Sequence, residues 1–426
     1  LEDTNPDNLE PDAYKWIPED ANWLTENGVD EVVIQSDRID IYNAYALKLL
    51  EEGHAYVCTC SSDVFKEKLD NKSLCECRKN TEKKNLERWH HMLTDWDDGD
   101  AVVRFKTDPD EKNPAFKEFP LARINTSEHP RQGLKHRVWP LMNLAVAVDD
   151  YELGITHAVR GKDHTDNAKK QAMIAKALKA STPESVSVGL ISFQGFDLST
   201  TQTKKTIKEG GFKGWDDIRL PFLRAMKRKG YQAAALRKFA ITMGVTLNDK
   251  SVSQEEFFKT LNAFNKEVID PVANRYFAVI DPVVITIRNA PRLDIESDLH
   301  PDNKKGGRKF KTHENFYIEK DDFKDIKDGE LVRLMGCLNF TKKGKNFEYV
   351  SKEYEVFKGQ GKKQIHWLPQ DQSQLIKVKI KLNDNKDIEA FAEKMVEKVK
   401  ENDMVQFERF GFCRCDAKNS FWFTHR

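Results

Sequence analysis

The sequence predicts an α/β protein whose open sheet ends in a polar site, followed by a helical segment and an all-β carboxyl part. Three observations carry this. Residues 141–148 are an apolar run with no charge between Arg137 and Asp149, the length of a buried strand. Arg160, Lys162, Asp163 and His164 then arrive together, ahead of an apolar-periodic helix through Ala168, Met173 and Leu178, as where an open α/β sheet offers a site at its carboxyl edge. From Ala278 onward the pattern becomes short alternating runs (283–287, 330–335, 347–354, 375–382, 404–407, 421–423) separated by Gly, Asn and Asp turns.

In chain order, the spacing predicts an amphipathic helix over 14–24, a short strand over 32–34, and a helix over 39–52 that Gly53 terminates. A strand at 55–57 leads into Cys58-Thr59-Cys60, and Cys75-Glu76-Cys77 follows after fourteen residues. A helix over 81–93 and a strand over 101–106 come next, with charged turns at Pro109, Pro114 and Pro120. After the central stretch a helix over 165–179 and a strand-like run over 186–193 precede a polar loop, 195–205. From Gly211 the segment is helical to about 277, including 233–243 and 254–266.

A chain of 426 residues, 32% charged, with mean hydropathy −0.68, has room for two to four domains and describes a soluble, cytoplasmic enzyme. No apolar run approaches the roughly 20 residues of a membrane span, and no signal peptide is visible. Net charge is zero but unevenly placed: residues 1–60 carry fourteen acids against three bases, and residues 204–238 eleven bases against three acids. Lys204, Lys205, Lys208, Arg224, Lys227, Arg228, Lys229, Arg237 and Lys238 form a basic stripe suited to phosphate contacts; a solvated helix face is the other reading. In the carboxyl part Phe310, Trp367 and Trp422 are aromatics available for base stacking.

Four of the seven cysteines sit in two Cys-x-Cys pairs inside twenty residues. Without a secretory signal, disulfides do not account for them, and thiolates at this density suit tetrahedral zinc held by Cys58, Cys60, Cys75 and Cys77, with His54 near enough to substitute. Unligated buried thiols are the alternative. Cys413 and Cys415 have no second pair nearby and read as strand residues.

Asp149-Asp150, then Gly154-Ile155-Thr156-His157, then Arg160-Gly161-Lys162-Asp163-His164 resemble, in their order, the second half of the catalytic domain of the glutamyl-tRNA synthetase family. Leu1 to Pro6, Leu-Glu-Asp-Thr-Asn-Pro, is similar to the element that follows that family's His-Ile-Gly-His signature. The chain starts without Met, so a preceding segment bearing that signature is expected. Leu198, Ser199 and Thr200 match the Leu-Ser-Thr-Ser-Lys form of the mobile signature loop in archaeal-type members, and Thr201 is conservative. Gln202 replaces the lysine, leaving Lys204 or Lys205 to reach the phosphates of ATP. Met142 stands where the family pattern Trp-Pro-x-Tyr places a tyrosine facing glutamate. The element from Trp215 to Pro221 resembles both glutamyl and glutaminyl enzymes, while the Cys-x-Cys pair with residues 160–164 resembles the glutamyl side.

The resemblance implies a class I, Rossmann-type catalytic domain (1–57 and 126–205) interrupted by a zinc-containing, acceptor-binding insertion (58–125). A helical stem-contact region (206–277) and anticodon-binding β-barrels (278–426) follow. Arg160, Met142, Asp163 and His164 would line the substrate site; Leu198, Ser199, Thr200 and Thr201 the ATP site; Lys204 and Lys205 would be catalytic. Arg224, Lys227 and Arg228 would meet tRNA, with Arg78, Arg104 and Arg123 as further backbone contacts. Glutamate, ATP with Mg2+, Zn2+ and tRNA are the implied ligands, with no membrane, and multi-synthetase or amidotransferase partners are admitted. A glutaminyl enzyme and a non-catalytic tRNA-binding paralogue are the alternatives.

Overall fold

The computed structural model describes residues 1–71, 73–195 and 199–426. Residues 1–192 with 244–251 form one compact unit, and residues 193–243 with 252–426 another.

In the first unit the helix Ile39–Glu51 lies against a four-stranded antiparallel sheet ordered Ala55–Cys58, Val102–Phe105, Pro120–Ile124, Val138–Pro140. Its core is large and apolar, built around Tyr42, Leu49, Trp89, Val103, Leu121, Trp139, Leu144 and Val148. The apolar run expected as a buried strand is instead the helix Met142–Glu152, which follows the short strand Val138–Pro140. Leu144, Ala145, Ala147, Val148 and Asp149 are all buried, and a helix buried on most of its circumference is as continuously apolar as a central strand. No strand forms at 32–34; extended chain runs straight into the turn Gln35–Arg38.

The α/β crossover lies further on. The strand His157–Gly161 pairs in parallel with Glu184–Val188, and the helix Thr165–Ala177 connects them. Arg160, expected on a turn that follows a buried strand, lies instead on this strand, which is half-exposed. The segment around the cysteine pairs has a small core of its own, Tyr56, Cys58, Phe65, Cys75 and Cys77, with a helix Ser62–Asp70 between the pairs. Within it Arg78 donates to Glu118 at 2.6 Å and to the Thr107 carbonyl at 2.7 Å, and the Arg104 guanidinium lies 3.4 Å over the Phe65 ring centroid. Both arginines expected to contact a nucleic-acid backbone are occupied holding the insertion together. Arg123 bonds Asn5 at 2.7 Å and remains partly exposed.

In the second unit the helices Thr200–Lys208, Leu223–Lys229, Ala233–Met243 and Gln254–Ile269 precede two seven-stranded sheets. The chain contributes Asn274–Tyr276 and Ala278–Ile280 to the first, leaves to build the second from Pro282 to Pro369, then returns to complete the first through Ser420–His425. The carboxyl part is sheet-rich as expected; the strands follow in linear order, and among the described residues no pairing joins the edges of either sheet. Cys413 and Cys415 are buried strand residues. Trp367, Phe310 and Trp422 are buried as well, so they are core rather than stacking platforms. A ring large enough to stack a base is also the ring that best fills such a core.

The turn of residues 214–221 is organised by Asp217, 5% exposed, which accepts from the Lys213 and Arg219 amides at 3.1 Å and from the Arg219 guanidinium at 2.7 and 2.9 Å. Burial pushes its carboxyl up, but the bonds from Arg219 and the two amides outweigh it and bring it down to about 2.

Two stability experiments follow from these contacts. Asp149→Ala strips the partner from buried Arg38 and Tyr42 (below) and is expected to cost about 3 kcal/mol in urea unfolding. Because the Asp217 carboxyl is depressed on folding, its contribution is complete above the unfolded value near 4 and is lost as pH falls toward 2. Asp217→Asn should remove about 2 kcal/mol at neutral pH and flatten that part of the acid-unfolding curve.

Candidate functional site

Asp149 is the fixed point of the central stretch. Its carboxylate, 9% exposed, accepts from Gln35 Nε2 and Arg38 Nε at 2.9 Å and lies 2.8 Å from the Tyr42 hydroxyl through either oxygen. Burial, then the hydrogen bond to Asp149, raises the Tyr42 hydroxyl far above its ordinary value, so it stays a donor. Successive helical residues point about 100° apart, so locking Asp149 inward turns Asp150 toward the next strand. Asp150 is half-buried; burial raises its carboxyl, and Arg160 works in the opposite direction.

Arg160 Nη1 donates to Gln171 Oε1 at 2.6 Å, and Nη2 stands 4.0 Å from Asp150. Gln171 is positioned in turn by Asn143, at 3.4 Å. Asp150, Arg160 and Gln171, together with Thr182 and Ser185, line a cavity of about 90 Å³. Among the described residues no bidentate carboxylate closes on Arg160. A guanidinium has five N–H donors, and one neutral acceptor plus a carboxylate at 4.0 Å leave it able to take a second carboxylate side-on.

Asp163 and His164 are exposed on the short turn Lys162–His164 that follows the strand. His164 Nδ1 is 3.1 Å from Asn167 Nδ2, and Lys162 is held by Asp249 at 2.5 Å. A Cβ at Gly161 would stand 2.4 Å from Asp163 Oδ1, so a larger residue there would make the exposed Asp163 side chain swing aside. Met142 is the first residue of its helix and half-buried. The structure thus joins Arg160 to Asp150 and Gln171, and sets Asp163 and His164 beside it on the turn. Sequence reasoning missed Gln171 and Asn143. The signal was present for Gln171: it is a polar residue on the buried stripe of the helix Thr165–Ala177, three positions before Ile174.

The four cysteines converge, all their sulfurs lying within 4.8 Å of one another. Cys75 Sγ is 3.6 Å from both Cys58 Sγ and Cys60 Sγ. Tetrahedral Zn–S bonds of about 2.3 Å put sulfurs about 3.8 Å apart, so the donor set fits a closed four-thiolate site; His54 is outside it. Burial pushes the Cys77 thiol up, but hydrogen bonds from the Thr59 backbone and from Arg88, at 3.4 Å, lower it to about 6, which favours the thiolate a metal needs.

In the other unit Ser199 caps the helix Thr200–Lys208, its hydroxyl accepting from the Gln202 amide at 3.2 Å. Thr200, Thr201 and Lys205 are exposed on that helix and Lys204 is half-buried. Leu198 lies outside the described residues. Arg228 donates to Asp216 at 2.6 Å, lies 3.3 Å from Asp416 and rests 4.0 Å over the Trp422 ring. It is spent on internal contacts; of the other two residues expected to meet tRNA, Lys227 is exposed and Arg224 half-buried.

Residues 1–271 match the family model for tRNA synthetases class I (E and Q), catalytic domain, and residues 273–356 and 364–416 match two anticodon-binding domain models of the same family. The chain belongs to the class I glutamyl- and glutaminyl-tRNA synthetases. This synthetase is 40% identical over 430 residues to a glutamate–tRNA ligase of Methanocaldococcus jannaschii, covering all of this chain and 76% of the relative. It is 39% identical to that of Thermococcus kodakarensis, over 98% of this chain and 74% of the relative. A crystal structure of a glutamate tRNA ligase from Elizabethkingia meningosepticum aligns with 64% of the synthetase and 63% of its own chain, at 17% identity and a TM-score of 0.45.

Proposed function

We propose that this synthetase is a glutamate–tRNA ligase of the archaeal type. It joins the α-carboxylate of glutamate to the α-phosphorus of ATP with release of pyrophosphate, then passes the acyl group to the terminal ribose of tRNA with release of AMP. The observation that carries the reading is Arg160: a cation on a cavity wall, aimed by Gln171 and left without a bidentate partner, suits the side-chain carboxylate of glutamate. The names of its relatives support it. Asp163, His164 and Met142 border that site. Ser199, Thr200 and Thr201, with Leu198, shape the loop that meets ATP, and Lys204 or Lys205 supplies the positive charge that Gln202 lacks. Mg2+ accompanies ATP. Residues 58–125 grip the acceptor end, residues 206–277 the stem through Arg224 and Lys227, and residues 278–426 the anticodon, in the cytoplasm. Most of the acceleration comes from holding the two substrates in line and stabilising phosphate charge.

Gln202 favours a second reading, a paralogue that binds tRNA without activating an amino acid. Glutamate-, ATP- and tRNA-dependent pyrophosphate exchange by the full-length gene product separates the two, and no exchange above background removes the enzyme. Arg160→Lys, which keeps the charge but loses the planar fork, is expected to lower kcat/KM for glutamate by about 100-fold, roughly 2.7 kcal/mol, with the KM for ATP unchanged.

Zinc at Cys58, Cys60, Cys75 and Cys77 would be structural, replacing core that the insertion lacks. Elemental analysis should find close to one zinc per chain, and Cys58→Ser with Cys77→Ser should lose it and expose the Ser62–Asp70 helix to proteolysis. Less than a tenth of an equivalent in the unmodified protein would refute the site.

A further inference from the structure

Within the second unit a cavity of about 420 Å³ is lined by Arg219, Met226, Lys229, Tyr231, Phe258 and His425 among others, with no Asp or Glu on its wall. Lys229 is the unusual member. It is 7% exposed, and among the described residues no hydrogen bond or ion pair reaches its ammonium. The nearest groups are aromatic: Nζ lies 4.9 Å from the Phe258 ring centroid and 5.8 Å from that of Tyr231.

The backbone holds this lysine where it is. Its carbonyl, at the end of the helix Leu223–Lys229, accepts from the Thr424 hydroxyl at 2.6 Å. The next residue, Gly230, has φ +105°, and a Cβ there would stand 2.6 Å from Thr424 Oγ1 and 2.9 Å from the Met404 sulfur. Rotating the helix end to expose Lys229 would break both fits. A cation over aromatic rings recovers only part of what burying an unpaired ammonium costs. Burial alone pulls the amine down to about 8.

The neighbouring groups do not supply the missing charge. Arg219 and Arg426 are the other cations on the wall, and Arg219 is oriented by Asp217. His425 is buried and pushed toward its neutral form, with Nε2 3.0 Å from Asn265 Nδ2. We infer that this cavity is an anion site that takes a phosphate group, with Lys229 as its buried charge and Arg219 as the second contact. A volume of about 420 Å³ is in the range of small-molecule pockets and exceeds what a lone carboxylate would fill. A lysine donating as a point charge, backed by a guanidinium, is a common phosphate-binding pair. The phosphate belongs either to a phosphorylated small molecule or to an RNA backbone. The inference does not rest on the aminoacylation reading.

Calorimetry with inorganic phosphate at constant ionic strength, chloride as the replaced ion, tests it on the full-length protein. Wild type and Lys418→Met, an exposed lysine elsewhere, should show the same phosphate site, and Lys229→Met should bind at least 10-fold more weakly. Binding by Lys229→Met within twofold of wild type overturns the assignment. Should that variant not fold, crystals of the wild type soaked in tungstate decide: an anomalous peak within hydrogen-bonding distance of Lys229 Nζ is expected, and a cavity without one overturns it. A tRNA transcript that displaces the Lys229-dependent phosphate identifies the RNA backbone as the source, and a transcript that leaves it in place identifies a free phosphorylated ligand.

Discussion

One buried carboxylate sets the geometry of the central stretch. Asp149 gathers Gln35, Arg38 and Tyr42 from the segment that opens the helix Ile39–Glu51. Taking a carboxylate out of water costs several kcal/mol, recovered only when its lone pairs are filled. Here a guanidinium, an amide and a phenol fill them. The helix Met142–Glu152 can therefore have one rotation about its axis, the one that brings Asp150 to face Arg160. Neither partner alone would specify this: Arg160 sits on a two-stranded, half-exposed sheet that by itself has little to hold its position.

The same stretch shows how much was legible in the sequence. The order of residues from Asp149 to His164 was readable through its resemblance to the synthetase family, and Arg160 does line a cavity. The secondary structure around it was not. An apolar run of that length satisfies both a buried strand and a helix buried on most sides, and Pro140 just before the helix together with the Ala145–Ala147 pair were the only local hints of helix. The cysteine quartet was fully legible, since spacing and convergence agree. Gln171 was not, because its role comes from a contact across a crossover connection. Trp367, Phe310 and Trp422 failed for the opposite reason: composition cannot say which face of a strand a ring takes.

Charge density misleads in a similar way. The basic stripe reads as one surface, yet consecutive residues on one short helix meet different ends. Lys227 is exposed, Arg228 lies over Trp422 between two aspartates, and Lys229 is buried against aromatic rings. A seven-residue helix packed against a sheet cannot present three successive side chains to one partner. The count of lysines and arginines in 204–238 therefore overstates the electrostatic footprint available to a polyanion, and the positions that remain must be judged singly.

Buried ion pairs inside the carboxyl part extend this argument from recognition to assembly. Asp322, 2% exposed, takes both guanidinium nitrogens of Arg409 at 2.5 and 2.8 Å and Lys363 at 2.8 Å. Arg308 donates to Glu393 at 2.9 Å, with both residues buried. Arg409 and Glu393 belong to the segments of one sheet, Asp322 to the connections of the other. Burial pulls the Glu393 carboxyl up to about 7 even beside Arg308, so desolvation outweighs the attraction there. Such pairs add little net stability. What they add is selectivity of register: any arrangement of the two sheets that separates Asp322 from Arg409 leaves a buried carboxylate short of its bidentate partner, whereas hydrophobic contacts between the same sheets would tolerate a slip. A chain that leaves one sheet, builds another and returns to complete the first needs that discrimination more than it needs further burial.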